Sequence, residues 1–292
     1  MNFYELRELI KKESINNNFQ NASDKIYNII LNLDKNNFIP LITEIGSIPE
    51  NIEHDSSEEK LYTKVSDIIL AKCFIELGLK AEVLKERANC ADVIAKSQFH
   101  NYSLVADAKA FRLSRTAKNQ KDFKVESMVH WKEDNNFSVL CCPYFQYPKI
   151  KSQIYGQALN GNVTLFSWEY FSLLLNNGFL ETPETNLSIL WNWSNLISET
   201  TTIQNKNVCF ITKQNEYLKN LLNLTDNEFR NHFKYCKESI IARGKKEIEY
   251  WQNQITLIQN YSKEEAIDML IKSLKLNEKI NSINTYINQL RG

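Results

Sequence analysis

Between Ala91 and Trp168 the apolar residues stop recurring every three or four positions and gather instead into short blocks. "ADVIAKS", "YSLVADAKAF", "FSVLCC" and "NVTLFSW" are runs of strand length, and β-branched or aromatic residues are prominent in them. A short polar link joins the first two and predicts a hairpin, and Pro143 ends the third because it has no N–H for a ladder. "KVESMVHWKEDNN", between the second and third runs, has helical spacing. Helix, strand, strand, helix, strand is the order of an α/β core with a mixed sheet flanked by helices.

The flanking thirds read as helical. Glu5, Leu6, Leu9 and Ile10 share one helix face, and Ile26, Ile29, Ile30 and Leu33 share another. "SSEEKLYTKVSDIILAKCFIELGLK" is the clearest helix, with a Ser56–Glu59 capping box, an apolar stripe through Leu61, Val65, Ile68, Ile69 and Leu77, and Gly78 as its stop. Further boxes, Thr225–Glu228 and Ser262–Glu265, open helices near the C-terminus. There Ile248, Trp251, Ile255 and Ile258 recur at heptad-like spacing, read here as intradomain core rather than an oligomer seam. The expected organisation is a single domain, 1–292. It comprises N-terminal helices over 1–80, an α/β core over 81–170 with a loop at 110–125, and a mainly helical region over 171–292.

Composition narrows the function classes. The chain is 43% apolar, enough for a core, while 7 Gly and 5 Pro leave little for flexible linkers. "MNFYELRELIKKE" lacks the apolar run of a signal peptide, and no stretch is long and apolar enough to span a bilayer; the expectation is a soluble, cytoplasmic protein. The cysteines (Cys73, Cys90, Cys141, Cys142, Cys209 and Cys236) show no C-x-x-C spacing, and no two of the 4 histidines stand i, i+4. They read as reduced, mostly buried thiols rather than zinc ligands. A net charge of zero speaks against a broad nucleic-acid surface, yet six cations (Lys109, Arg112, Arg115, Lys118, Lys121 and Lys124) face one acid, Asp122, within a single segment.

That segment follows an unusual strand. Successive side chains alternate faces, so Asp107 and Lys109 share one side while Ala106, Ala108 and Ala110 supply the other. The pair is either a simple ion pair or the centre of a metal-dependent hydrolase, in which a carboxylate holds Mg²⁺ and the ammonium orients or deprotonates water. The D-x-K spacing alone is unspecific, because Asp122-Phe123-Lys124 repeats it. Only Asp107, however, lies inside an apolar β run with a second acid, Asp92, opening the partner strand. In a closed hairpin Asp92 and Asp107 can converge, and two such carboxylates repel unless a cation lies between them.

An acid followed by a strand carrying (D/E)-x-K on a helix-flanked mixed sheet resembles the PD-(D/E)xK nucleases. More narrowly, "EKLYTKVSDIILAKCF", "VADAKAFRLSRTAKNQKDFKV", "FQYPKIKSQIY" and "LFSWEY" resemble HindIII-type type II restriction endonucleases, with similarity reaching the C-terminal "EEAIDMLIKSLK". One departure is Ala91, where the generic motif has Pro; the acid, not the Pro, binds metal. The resemblance implies a restriction-endonuclease-like fold and Mg²⁺, two ions per site. It makes Asp92, Asp107 and the main-chain carbonyl of Ala108 metal ligands, with Lys109 placing the water. Glu86 either reaches a second metal or is a solvated helix-end acid. The resemblance also implies the palindrome A-A-G-C-T-T, cut after the first A to leave 5′ overhangs.

The basic run is either a solvated loop or a reader of DNA. Its residue types suit the major groove: Asn119 and Gln120 match adenine, and Arg or Lys matches guanine. Asp122 is a cytosine acceptor or a further metal-site acid, and its place among cations favours base reading. Arg112, Arg115, Lys118, Lys121 and Lys124 are the remaining candidate contacts, to bases or to phosphates. A palindromic site calls for a homodimer on double-stranded DNA. Competing readings are a repair or recombination nuclease of the same fold, a non-catalytic DNA-binding regulator, and a helical interaction protein built on the C-terminal third.

Overall fold

The computed structural model describes residues 1–84, 90–115, 120–148, 152–200 and 206–291. Among these, the central sheet has five strands: β1 (Lys80–Val83), β2 (Val93–Lys96), β3 (Ser103–Ala108), β4 (Phe137–Cys142) and β5 (Val163–Ser167). They lie side by side in that order, β1 to β3 antiparallel and β3 to β5 parallel. The mixed sheet and the expected hairpin are therefore present. The edge strand β1, short and half-exposed, carries no apolar alternation that announces it.

The parallel half requires crossovers, and short helices supply them. Two that cover one face are α5 (Val125–Trp131), which packs on β4, and α6 (Gln153–Gly161), which packs on β5. Gly161 lies so close to Val129 that an added Cβ would meet its Cγ2 at 2.3 Å. On the other side α4 (Ser57–Glu76) packs across β1, β2 and β3, with α1 (Phe3–Asn16), α2 (Phe19–Leu31) and α3 (Lys35–Ile45) packed against it. α4 is buried nearly all round, as a central helix must be. Alternation along β3 divides the interior: Leu104, Ala106 and Ala108 join the core on the α4 side, and Val105 joins the core under α5 and α6.

The helix signals are mostly realised. Ser56 accepts the Glu59 N–H at 3.1 Å, and α4 gives way at Leu77 and Gly78, the latter at φ +92°. The Ser56 box is not reciprocal, however, because the Glu59 carboxylate turns to the Asp55 N–H and to Arg112. The Thr225–Glu228 and Ser262–Glu265 boxes close in both directions.

The chain divides into two compact units, Met1–Ala242 and Arg243–Gly292. Helix α7 (Trp168–Asn176) follows β5, and three later helices are α8 (Asp226–Gln259), α9 (Lys263–Ser273) and α10 (Leu276–Arg291). The stripe Ile248, Trp251, Ile255 and Ile258 corrects the expectation of buried core, since all four are exposed. The physical reason is size: the second unit is a short helical segment with too few layers to enclose its own apolar faces. Among the described residues, no helix is long and apolar enough to cross a membrane.

Candidate active site

The antiparallel register pairs Val93 with Ala106, so the next pair along is Asp92 opposite Asp107. Asp92 precedes β2, and Asp107 is the penultimate residue of β3, which runs alongside β4 with Asp107 level with Leu140. Lys109 continues past the strand and pairs with Asp107 through its ammonium. Its backbone is fixed from two directions: the Lys109 N–H donates to the Cys141 carbonyl at 2.7 Å, and the Trp168 indole donates to the Lys109 carbonyl at 3.1 Å. Trp168 is itself wedged against Gly46, where an added Cβ would lie 2.7 Å from the indole and from Pro143. Three of the predicted site residues, Asp92, Asp107 and Lys109, thus converge. The predicted Glu86 lies outside the described residues.

A fourth group was not foreseen. Asp67, on α4, is 3% exposed, and its Oδ1 has no hydrogen-bond partner among the described residues. Burial, and then the charges of Asp92 and Asp107, hold its carboxyl well above the usual range. The same influences act on Asp92: burial, the Asp107 charge and a hydrogen bond with that carboxyl push it up to about 7. Burial alone would push the Lys109 ammonium down, but Asp107 outweighs it and the net shift is upward. Lys109 is therefore an ammonium at neutral pH. The only warning of Asp67 in the sequence is an acid in the middle of the apolar run "VSDIILAKC".

A cavity of about 670 Å³ opens beside these acids, lined by Asp67 and Asp92 together with Lys60, Lys64, Ser57 and Asn18. Lys60 and Lys64 stand one turn apart on α4, leading toward Asp67, and the Lys64 ammonium donates to the Leu84 carbonyl at 3.2 Å. Buried hard oxygens crowded beyond what one ammonium balances suit a small divalent cation, and cations beside them suit a phosphodiester. Elsewhere, His54, Asp55 and Glu59 also bring ligand atoms together, but on the surface and with Glu59 committed to Arg112.

The basic segment is fastened at its base. Phe111 and Phe123 meet edge to face at 5.5 Å, and Phe123 stacks on Tyr147. Arg112 is turned inward, donating to the Pro49 carbonyl at 2.8 Å and pairing with Glu59 at 2.5 Å. The buried Glu50 accepts from both the N–H and the hydroxyl of Ser114. Arg115 pairs with Asp122 at 2.6 Å, bridging the two limbs. Lys121 and Lys124 are exposed, the latter over Trp131, and Gln120 is half-buried. Lys118 and Asn119 lie outside the described residues. Glu50 and Glu59, the anchors of this segment, sit far away in sequence, and the capping pattern that marked Glu59 gave no sign of this role.

Comparison with known proteins gives this architecture its relatives. The family model for HindIII restriction endonuclease matches residues 12–287. The type II restriction enzyme HindIII of Haemophilus influenzae is 41% identical over 277 residues, covering 95% of this chain and 92% of that protein. Among solved structures, restriction endonuclease FokI matches with a TM-score of 0.35 and 13% identity over 53% of this chain and 30% of that one. Its DNA-bound form gives 0.34 and 12% over 66% and 32%, so the chain spans about a third of those structures, and the likeness carries no argument. The sequence match over nearly the whole chain decides the question: this chain belongs to the HindIII restriction endonuclease family and is a type II restriction endonuclease.

Proposed function

We propose that the protein hydrolyses one phosphodiester in each strand of a palindromic duplex, A-A-G-C-T-T by family resemblance, after the first A, leaving 5′ overhangs. Membership of the family implies DNA as substrate and a divalent metal ion. The observation that carries the residue assignment is the convergence of Asp92, Asp107 and Lys109 with the unforeseen Asp67. A structural ion pair alone would account for Asp107 and Lys109 but would leave Asp67 and Asp92 uncompensated.

In this reading Asp92, Asp107 and the carbonyl of Ala108 would hold Mg²⁺, and Asp67 would help to hold a second ion. When bound, the metal supplies Lewis-acid activation of water and neutralises charge on the scissile phosphate. The protein's own residues do the rest. Lys109, kept protonated by its neighbours, donates to the attacking water and to phosphoryl oxygen, so it positions and stabilises rather than removes a proton. The new bond joins the water oxygen to phosphorus, and the bond to O3′ breaks. The attacking water gives up a proton to solvent and the leaving oxygen takes one up from solvent, giving 3′-hydroxyl and 5′-phosphate ends. Trp168 and the Cys141 carbonyl hold the Lys109 backbone, and Lys60 and Lys64 line the phosphate path.

Gln120, Lys121, Asp122 and Lys124, with Lys118 and Asn119, read bases and grip phosphates, and Arg112 positions the segment from inside. A palindrome has two equivalent halves, so the working form is a homodimer. A cytoplasmic location follows from the substrate. The test is digestion of a plasmid of known sequence with Mg²⁺ and with EDTA, followed by sequencing of the ends. Metal-dependent 5′ overhangs at A-A-G-C-T-T are expected. Ends at another palindrome would replace the assigned site, and random nicks would favour a repair nuclease.

A further inference from the structure

The second unit, Arg243–Gly292, leaves its apolar residues in water. Fourteen large apolar side chains there are 36–59% exposed, and among the described residues of the unit no apolar side chain is buried. They are not scattered. Eleven of them form three sets: Ile248, Trp251, Ile255 and Ile258 on α8; Ile267 and Leu270 on α9, with Leu274 just past its end; and Leu276, Ile280, Ile283 and Ile287 on α10. Spacings of three and four repeat in each set, which is the a/d seam of a helical bundle.

The size of this face can be set against what an interface needs. Large side chains offer on the order of 150–250 Å² each when fully exposed. Fourteen of them, about half exposed, present roughly 1,000 Å² or more. The largest apolar patch on an ordinary monomer is about 300–600 Å². A stable complex buries about 800 Å² per partner.

Charge points to the occupant. Residues 243–292 carry eight cations and six acids, interspersed, so the unit is a poor match for a phosphate backbone. α10 bears only Glu278, Lys279 and Arg291 as charged residues, the rest of its polar surface being mainly Asn, Gln and Ser. A helix so lightly charged meets a copy of itself without like-charge cost. Seams that are apolar on every helix and nearly neutral around the rim are self-complementary, as an isologous contact requires.

We infer that Arg243–Gly292 is a dimerisation unit, and that two copies of this chain associate by packing these helical seams against each other. This rests on the homodimer reading above for the identity of the partner and adds the surface that makes it. The catalytic unit then needs no apolar contact of its own to stay paired on a palindrome.

The experiment uses the full chain. Sedimentation equilibrium without DNA should give twice the 34.2 kDa chain mass at micromolar concentration. The double variant Ile280→Lys/Ile283→Lys should raise the dissociation constant at least 100-fold and give a single-chain mass, with far-UV circular dichroism of the rest retained. At low enzyme concentration its cleavage rate should become second order in protein. A second variant, Ile283→Cys treated with diamide, guards against misfolding: an interchain disulfide absent from the treated wild type is expected. A dimeric wild type whose lysine variant is still dimeric, or whose Cys variant does not cross-link, overturns the surface but leaves the homodimer reading standing. A wild type that is monomeric, free and on DNA, overturns both. A lysine variant that keeps its dimer mass and loses DNA affinity assigns the face to DNA and overturns the inference.

Discussion

The strand pair that carries the acids and the basic segment that follows it are adjacent in sequence and held together by different physics. Asp92 and Asp107 face each other because a hydrogen-bonded register leaves them no alternative, and Asp67 is fixed by a helix buried on nearly every side. A slip of one residue would turn each strand's side chains to the opposite face and part the two acids, so their placement is specified by the core itself. The described parts of the segment from Phe111 to Lys124 are held instead by two aromatic contacts, by the pair of Arg112 with the distant Glu59, and by the Arg115–Asp122 pair within the segment. The more exposed of these pairs, Arg115–Asp122, contributes little stability and can exchange for phosphate or base partners. On the proposed assignment, the contrast teaches that cutting is built into the fold, whereas reading rests on contacts laid over it.

That division can be broken by substitution, most severely at Lys109. Lys109→Ala should slow cleavage about 1,000-fold or more while duplex affinity in Ca²⁺ changes only a few-fold. Parallel single-turnover rates and gel shifts would show a combined loss if cutting and binding are not separable. Asp67→Asn should cost about 10- to 100-fold in cleavage. Because it removes an uncompensated buried acid, the metal-free protein should melt higher, not lower, by calorimetry. Equal activity and an unchanged melting point would remove Asp67 from the site.

Smaller effects belong to the reading segment. Arg115→Ala should reduce discrimination between cognate and near-cognate sites about 10-fold while changing stability by less than about 1 kcal/mol. A comparison of cleavage ratios with urea melts checks both. The smallest effect concerns Glu169, the residue after Trp168 on α7. Burial pushes its carboxyl up to about 7 against an ordinary 4.5, partly offset by the Tyr144 N–H. The folded protein therefore holds that proton where the unfolded chain has lost it, and this contribution to stability falls as pH rises from 4.5 through 7. Glu169→Gln should reduce the drop in melting temperature across that window by about 2–4 °C. An unchanged slope would mean that Glu169 does not titrate there.

Local chemistry made part of this legible in advance. The hairpin of β2 and β3, the helix α5 that follows it and the strands β4 and β5 follow from runs and periods in the sequence. The family resemblance was carried by whole segments rather than by D-x-K. What could not be read was long-range. β1 is defined by its neighbour rather than by its own pattern, and Asp67 approaches the acids only once α4 is laid across the sheet. Glu50 and Glu59 lie more than fifty residues from the loop contacts they make. The heptad stripe of α8 misled because periodicity reports that a face is apolar, not what covers it.

The most direct test of the division is calorimetric titration of Ca²⁺ into the protein bound to a cognate duplex, for the wild type, Asp107→Asn and Asp122→Asn. Metal binding should be lost in Asp107→Asn and retained in Asp122→Asn. Retention in the first and loss in the second would move the metal centre from the buried strand to the loop and contradict the account.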